Sequence, residues 1–463
     1  MSKLSSGRNA SVRILPLLIA VLALIGAWAL WGALRLGDAP AITIETEREA
    51  IGAATKVVAR FGEPRNGLGK VRLELVQGDH AVVLAERTIP RRSPFLPGRG
   101  PVTAEAMLEA VAGKSAQEWL AEGEAVVRAT ADRFAGPLRS AAPMVVEKRL
   151  SVLLRPPRLE LLSSQHYVRQ GGAGVVVFRV SESASRSGVR AGGWESISYA
   201  RPGAPAGERF ALYALPFELG TPDAIRLFAE DAAGNHAELP FVTLFKKAPP
   251  RSEMIEITDA FLARVVPAIA SQTPGFSASG GLLEEYLKIN GELRRANLAF
   301  IRELAGPSEE KLLWSGPFLQ MPNTQLRANF AESRTYRYQG KAIDRQTHLG
   351  LDLASLAQAP VPAPNAGRVA FAGWLGIYGN AVLIDHGYGL ASLCGHLSSV
   401  AVKAADAVTK GQTIGASGAT GLAGGDHLHL EIFVQGRSVN PIEWLDAHWI
   451  ADNLGTKLAL PAS

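Results

Sequence analysis

The chain has 463 residues, 47% of them hydrophobic and 20% charged, with a formal net charge of +5. That length predicts two to four domains, and the composition is that of a globular protein with one membrane segment. The mild positive charge suits an anionic partner such as a cell wall or lipid headgroups, whereas the lack of a Lys/Arg stripe interleaved with aromatics argues against nucleic acid. Cys394 is the single cysteine, which excludes an intrachain disulfide and a Cys-rich zinc module.

Residues 14–34 form a run without a charge, long enough as a helix to span a bilayer. Lys3, Arg8 and Arg13 precede it without an acid, so the positive-inside rule predicts a cytoplasmic N-terminus. A cleaved signal peptide would have a shorter apolar core and a small-x-small ending. This run ends in Leu34-Arg35-Leu36. The reading is a single-pass anchor in the cytoplasmic membrane, residues 1–38, with the bulk of the chain outside.

The expected fold is mainly β and multidomain. Residues 39–155 form a first β domain. Ile42–Thr46 and Val71–Leu75 alternate as strands, Ala81–Ala85 reads as a short buried strand, and Gly123–Asp132 has strand composition. Gly62–Gly67 reads as a turn, and Thr103–Val111 has helical spacing with Thr103 as a candidate cap. Arg155-Pro156-Pro157-Arg158 is a stiff joint. Residues 156–250 form a second β domain, with strands at Val175–Val180, Phe210–Leu215 and Ile225–Ala229. Ala229–Asn235 resembles a strand entering a turn of an immunoglobulin-like sandwich. Both β domains lack a convergent titratable cluster and read as spacers.

Residues 251–307 read as a helical connector. Thr258 caps a helix from Asp259 to about Ala270. A longer helix, Leu282 to Leu304, carries an apolar stripe of Leu282, Tyr286, Ile289, Leu293, Ala296 and Phe300, and Gly306-Pro307 stops it. Residues 308–463, with a core at 326–449, return to strands and Gly-rich turns.

Chemistry concentrates in this last part, which holds six of the nine histidines. In His427-Leu428-His429-Leu430-Glu431-Ile432, a period of two puts His427, His429 and Glu431 on one face and the aliphatic residues on the other. Upstream, His348-Leu349-Gly350-Leu351-Asp352 offers a further histidine and a carboxylate, and His396 lies in Gly395-His396-Leu397-Ser398. Two histidines and one aspartate suffice for a catalytic zinc that keeps a position open, with histidines to spare for proton transfer. Asp344 and Glu431 are candidate partners that fix a histidine tautomer. His386 and Asn380 are weaker candidates near the site.

His348-x-x-x-Asp352, Gly395-His396-Leu397-Ser398 and His427-x-His429 together resemble the lysostaphin-type (LytM-like) zinc endopeptidases of peptidoglycan. The likeness covers about Leu326 to Trp449, including Tyr378-Gly379-Asn380, Asp385-His386-Gly387 and Gly411–Gly415. It implies an antiparallel β peptidase domain, Zn2+ bound by His348, Asp352 and His429, and His396 and His427 as catalytic histidines. It also implies peptidoglycan as substrate, cleaved in stem peptides or cross-bridges during wall remodelling. Cys394 departs from the tyrosine usual two residues before that family's His-Leu-Ser histidine. The alternative is a non-catalytic wall-binding protein or an activator of other wall hydrolases, working with an unidentified envelope partner.

Overall fold

The computed structural model describes residues 14–91, 93–95, 102–276, 280–306 and 308–458. It is mainly β. It divides into two compact units, Met1–Pro156 with Asp231–Asn235, and Pro157–Glu230 with His236–Ser463.

In the first unit the apolar run forms helix α1, Ile14–Leu34. It is long and apolar enough to cross a membrane, and its large side chains, from Leu15 to Trp31, are mostly exposed. Lys3, Arg8 and Arg13, which would orient it, lie outside the described residues. A three-stranded sheet and a five-stranded sheet follow. Val57, Ala59 and Phe61 of one meet Val71, Leu73 and Val127 of the other in a single core.

Two expectations fail here. Thr103–Val111 is not helical: Glu105–Ala112 is a strand paired antiparallel with Thr55–Gly62 over eight positions. Ala106, Leu108 and Ala112 are buried at even spacing, so the ladder overrides the helix propensity of Ala, Glu, Met and Leu. Ala81–Ala85 does lie in a strand, His80–Thr88, but at the sheet edge. Val83 is 40% exposed rather than buried.

The second unit begins with two four-stranded sheets over one core of Val176, Phe178, Tyr213, Val189 and Leu227. The strand Ala173–Val180 is apolar and buried from Ala173 to Phe178 because both its faces are covered there, and only Arg179 is exposed. Val175 and Val177 turn away from that core and pack with Leu390, Ile432 and Trp444 of the C-terminal part. Polar contacts reinforce this seam. Gln435 accepts from the Ile197 amide at 2.7 Å and donates to the Ile197 carbonyl at 2.8 Å. The buried Glu443 carboxylate accepts from the Ala173 amide at 2.9 Å. Gly172 makes room for it, since a Cβ there would lie 2.4 Å from a Glu443 oxygen.

The connector opens with a strand, Ser252–Ile257, which pairs in parallel with Glu332–Tyr338. Helix α2, Asp259–Gln272, is capped by Thr258, whose hydroxyl accepts from the Phe261 amide at 3.1 Å. The long helix is interrupted: α3, Leu282–Lys288, passes through a π turn, Ile289–Leu293, into α4, Arg294–Ala305. A π turn takes up one extra residue and shifts the phase of the helix after it. The buried stripe therefore runs Tyr286, Ile289, Leu293, Asn297, Ile301 and Ala305. The expected Ala296 and Phe300 face outward, with Phe300 39% exposed.

An eight-stranded sheet forms the C-terminal domain. Its centre orders Leu351–Ala354, Leu428–Val434, Leu390–Leu397 and Asn380–Gly387 side by side, all antiparallel.

The seam generates a test. Burial pushes Glu443 up from 4.5 to about 7, although the Ala173 amide and Arg169 oppose the shift. The folded chain thus holds this proton more tightly than the unfolded one. The contribution to stability is full below pH 4.5, falls as pH rises to about 7, and is constant above. Glu443→Gln keeps an acceptor for Ala173 and removes the titration. The stability difference, variant minus wild type, should grow by on the order of 3 kcal/mol from pH 4 to pH 7.5. Unfolding midpoints measured across that range check it; a constant difference would contradict it.

Candidate metal centre and active site

The pleat of adjacent strands builds the site. Asp352 and His429 are direct cross-strand partners, flanked by the pair Leu351–Leu430. Leu351, Leu353, Leu428 and Leu430 point into one apolar core, so Asp352 and His429 emerge together on the opposite face. His348 ends the preceding strand, Lys341–His348. Gly350 lets the chain turn between His348 and Asp352. A Cβ there would lie 2.6 Å from the Leu430 carbonyl oxygen and 2.7 Å from the His429 ring.

His348 Nε2 and His429 Nδ1 each lie 2.9 Å from Asp352 Oδ1, and 3.2 Å from each other. The three residues are buried. Second hydrogen bonds set the tautomers. His348 Nδ1 faces the Asn329 carbonyl at 2.9 Å and donates to it. His429 Nε2 faces Glu431 Oε2 at 3.4 Å. Each ring therefore turns a lone pair toward Asp352 Oδ1. Two imidazole lone pairs and a carboxylate oxygen at this range repel one another unless a cation lies among them. A tetrahedral ion with bonds of about 2.0–2.1 Å spaces its ligands by roughly 3.3 Å, close to the observed triangle. The donor set thus fits a metal ion.

Electrostatics agree with a cation-seeking site. Burial holds His348 below its ordinary value despite Asp352. Burial opposes ionisation of Asp352, yet the surrounding histidines hold it well below the usual carboxylate range. Burial likewise disfavours charge on His429, but Asp352 and Glu431 raise it to about 9. That is the response of a proton placed where the two carboxylates converge.

His396 and His427 stand beside this triangle, their rings 4.8 Å apart. His396 Nδ1 donates to the Thr420 carbonyl at 2.8 Å, and His427 Nδ1 to that of Gly425 at 2.8 Å. Both Nε2 atoms are left as acceptors. His427 Nε2 is 3.6 Å from Asp352 Oδ1. His396 is held at φ +61°, in the left-handed region that non-glycine residues seldom occupy. Burial, then the charges of His427 and His429, keep its pKa well below the ordinary value. His348, Asp352, His396, His427 and His429 all line one cavity of about 1140 Å³.

The other sequence candidates divide. Glu431 is fully buried rather than solvated; it accepts from the Tyr378 hydroxyl at 3.1 Å and from Ser438. Asp344 does not reach a histidine: it accepts from Asn290 of the π turn at 2.7 Å. His386 lies in a strand, with Nε2 2.8 Å from Ser392 Oγ and its ring against Phe318. Asn380 donates to the Leu397 carbonyl at 3.1 Å. Neither His386 nor Asn380 lines the cavity. Burial pushes the Cys394 thiol up to about 12, so it acts as apolar packing.

Arg334 belongs to no motif in the sequence. Its Nη2 donates to Asp352 Oδ2 at 2.8 Å, and its Nε lies 3.2 Å from Glu253. It caps the outer carboxylate oxygen and leaves Oδ1 for the histidines. Alternation along Glu332–Tyr338 places Arg334 on a face, but nothing in the local sequence says which carboxylate it meets.

Residues 346–441 match Peptidase family M23. The chain is 42% identical over 95 residues to a DD-carboxypeptidase/endopeptidase Mpg of Neisseria meningitidis serogroup B, covering 20% of this chain and 22% of that protein. It is 40% identical over 96 residues to the peptidoglycan DD-endopeptidase ShyA of Vibrio cholerae, covering 21% and 22%. It is 38% identical over 96 residues to the murein hydrolase activator EnvC of Escherichia coli, covering 21% and 23%. The match thus spans about a fifth of these relatives' length. Among solved structures, a putative peptidase M23 from Pseudomonas aeruginosa aligns with 59% of this chain and 93% of its own, at 22% identity and a TM-score of 0.38. The catalytic domain of lysostaphin from Staphylococcus simulans aligns with 27% and 94%, at 28% identity and a TM-score of 0.24. At its C-terminus the chain carries a domain of peptidase family M23, the lysostaphin type.

Proposed function

We propose that this protein is a zinc-dependent endopeptidase that hydrolyses peptide bonds in peptidoglycan stem peptides or cross-bridges. α1 is its single-pass anchor in the cytoplasmic membrane, and the rest of the chain lies on the outer side. The observation that carries the reading is the triangle of His348 Nε2, Asp352 Oδ1 and His429 Nδ1, open to a cavity with two further imidazoles. A wall-binding protein or activator without catalysis needs no such set. The length and apolarity of α1 support the anchor. The relatives named as peptidoglycan endopeptidases support the substrate class.

A zinc ion held by His348, Asp352 and His429 would supply Lewis acidity toward the scissile carbonyl and lower the pKa of a water to about 7. The chain's own residues do the rest. His396, enclosed and kept neutral, orients the attacking water by accepting a hydrogen bond at Nε2. His427 takes the water's proton at Nε2 and delivers it to the leaving amine. Asp352 at 3.6 Å stabilises the imidazolium that forms between the two steps. Glu431, fixed by Tyr378 and Ser438, holds the His429 tautomer. Arg334 holds Asp352 in its one-oxygen pose.

Zinc should bind one per chain. His348→Ala, Asp352→Ala and His429→Ala should each abolish it, and Arg334→Gln should weaken it by about 10–100-fold, the range for outer partners of ligands. Metal analysis with chelator competition measures this; wild-type affinity in the three ligand variants would refute the assignment.

His396→Ala and His427→Ala should retain zinc and lower kcat by about 10²–10⁴-fold, the worth of positioned proton-transfer groups. Zinc content and turnover of purified peptidoglycan are read together. Loss of zinc with activity would place that histidine among the ligands, and retention of both would remove it from the mechanism.

A further inference from the structure

Four guanidinium groups lining the cavity, those of Arg264, Arg294, Arg302 and Arg327, have no carboxylate partner among the described residues, and two of them share one helix. α4 presents Arg294, Leu298 and Arg302 to this cavity at four-residue spacing. Arg294 is half-buried and Arg302 exposed; Arg334, by contrast, is paired with Asp352 and Glu253. Arg437 is paired with Glu218, and Arg264 donates to the Ala423 carbonyl. Arg294 is anchored only by neutral acceptors, the Asn290 carbonyl at 3.2 Å and Asn290 Oδ1 at 2.6 Å. Arg302 lies over the Trp194 ring at 5.5 Å.

The placement is built. Asn290 is fully buried in the π turn, where its amide bridges Arg294 and Asp344. The phase shift at this turn sends Asn297 and Ile301 inward and leaves Arg294, Leu298 and Arg302 on the cavity side. The Tyr286 hydroxyl also lines the cavity, buried and without a hydrogen-bond partner. Both arginine charges bear on the Tyr378 hydroxyl, which donates to Glu431, itself in contact with His429. The cationic wall is therefore a few side chains from the proposed metal.

We propose that Arg294 and Arg302 form a carboxylate-binding subsite, which selects peptide substrates carrying free carboxylates beside the scissile bond. A planar guanidinium matches a carboxylate through paired hydrogen bonds, and unpaired cations in a cleft favour anionic ligands. The subsite rests on the reading of this cavity as the site of peptide hydrolysis. It lies outside residues 346–441, so it adds selectivity from the chain's own connector to the family domain.

The test uses the full chain in detergent and a purified cross-linked muropeptide dimer, with its carboxylates free or amidated. Hydrolysis is followed with wild type, Arg294→Gln, Arg302→Gln and the Lys counterparts, with zinc content measured on each. Binding of both dimers to His427→Ala is measured separately, with and without the Gln substitutions. For wild type, amidation should raise KM by about 10–100-fold, the worth of lost charge-assisted hydrogen bonds. The Gln variants should show a raised KM for the free dimer, little further effect of amidation and unchanged zinc. The Lys variants should recover part of the preference, which a purely structural role would not produce. Equal handling of both dimers by wild type, or an undiminished preference in the Gln variants, would overturn the subsite while leaving hydrolysis intact. Arginine-dependent binding of the free dimer without cleavage would support the subsite and sink the hydrolytic reading. Absence of both binding and cleavage would sink both.

Discussion

Three electron-rich atoms meet in the interior of this protein. The His348 and His429 lone pairs and the Asp352 Oδ1 oxygen lie 2.9–3.2 Å from one another, a cluster stable only around positive charge. Much of the surrounding structure holds that cluster in place. The Asn329 carbonyl and Glu431 fix which nitrogen each ring turns inward. Arg334 takes the second oxygen of Asp352. The cross-strand pairing of Asp352 with His429 sets their spacing through the backbone. Each donor is thus oriented by a partner on a strand, as Glu431 and Arg334 are, or just past the end of one, as Asn329 is.

The supports extend beyond the family match. Arg334 and Glu253 lie on neighbouring strands of a three-stranded sheet, and Glu253 comes from the segment before the helices. α2 reaches the loop before His427 through Arg264, whose Nη2 donates to the Ala423 carbonyl at 2.9 Å. The β sandwich of this unit shares a core with the strand that bears His429, through Ile432 and Val434. The segments read as spacer and connector are thus part of the packing around the site, and not only a means of reach.

The site was legible because its chemistry follows strand periodicity. His427, His429 and Glu431 alternate with aliphatic residues, and the structure puts those aliphatics in the core. The strand at Val71–Leu75 was readable for the same reason, and Gly123–Ala131 from its strand composition. The failures have physical causes. Glu105–Ala112 is made of helix formers, and only its long-range ladder makes it a strand. The π turn displaced the stripe of α4 by one residue, and its buried Asn290 bonds to Asp344, 54 residues away. The pairing of Arg334 with Asp352 is likewise tertiary, set by strand order rather than by local pattern.

The central claim is that the cluster is a metal site with one open position. Anomalous diffraction from crystals of the zinc-loaded protein tests it most directly. The account requires a single strong zinc peak about 2.0–2.2 Å from His348 Nε2, Asp352 Oδ1 and His429 Nδ1, with its fourth position toward His396 and His427. A peak bonded to His396 or His427 in place of one of these three, or stoichiometric zinc located elsewhere in the chain, would contradict it.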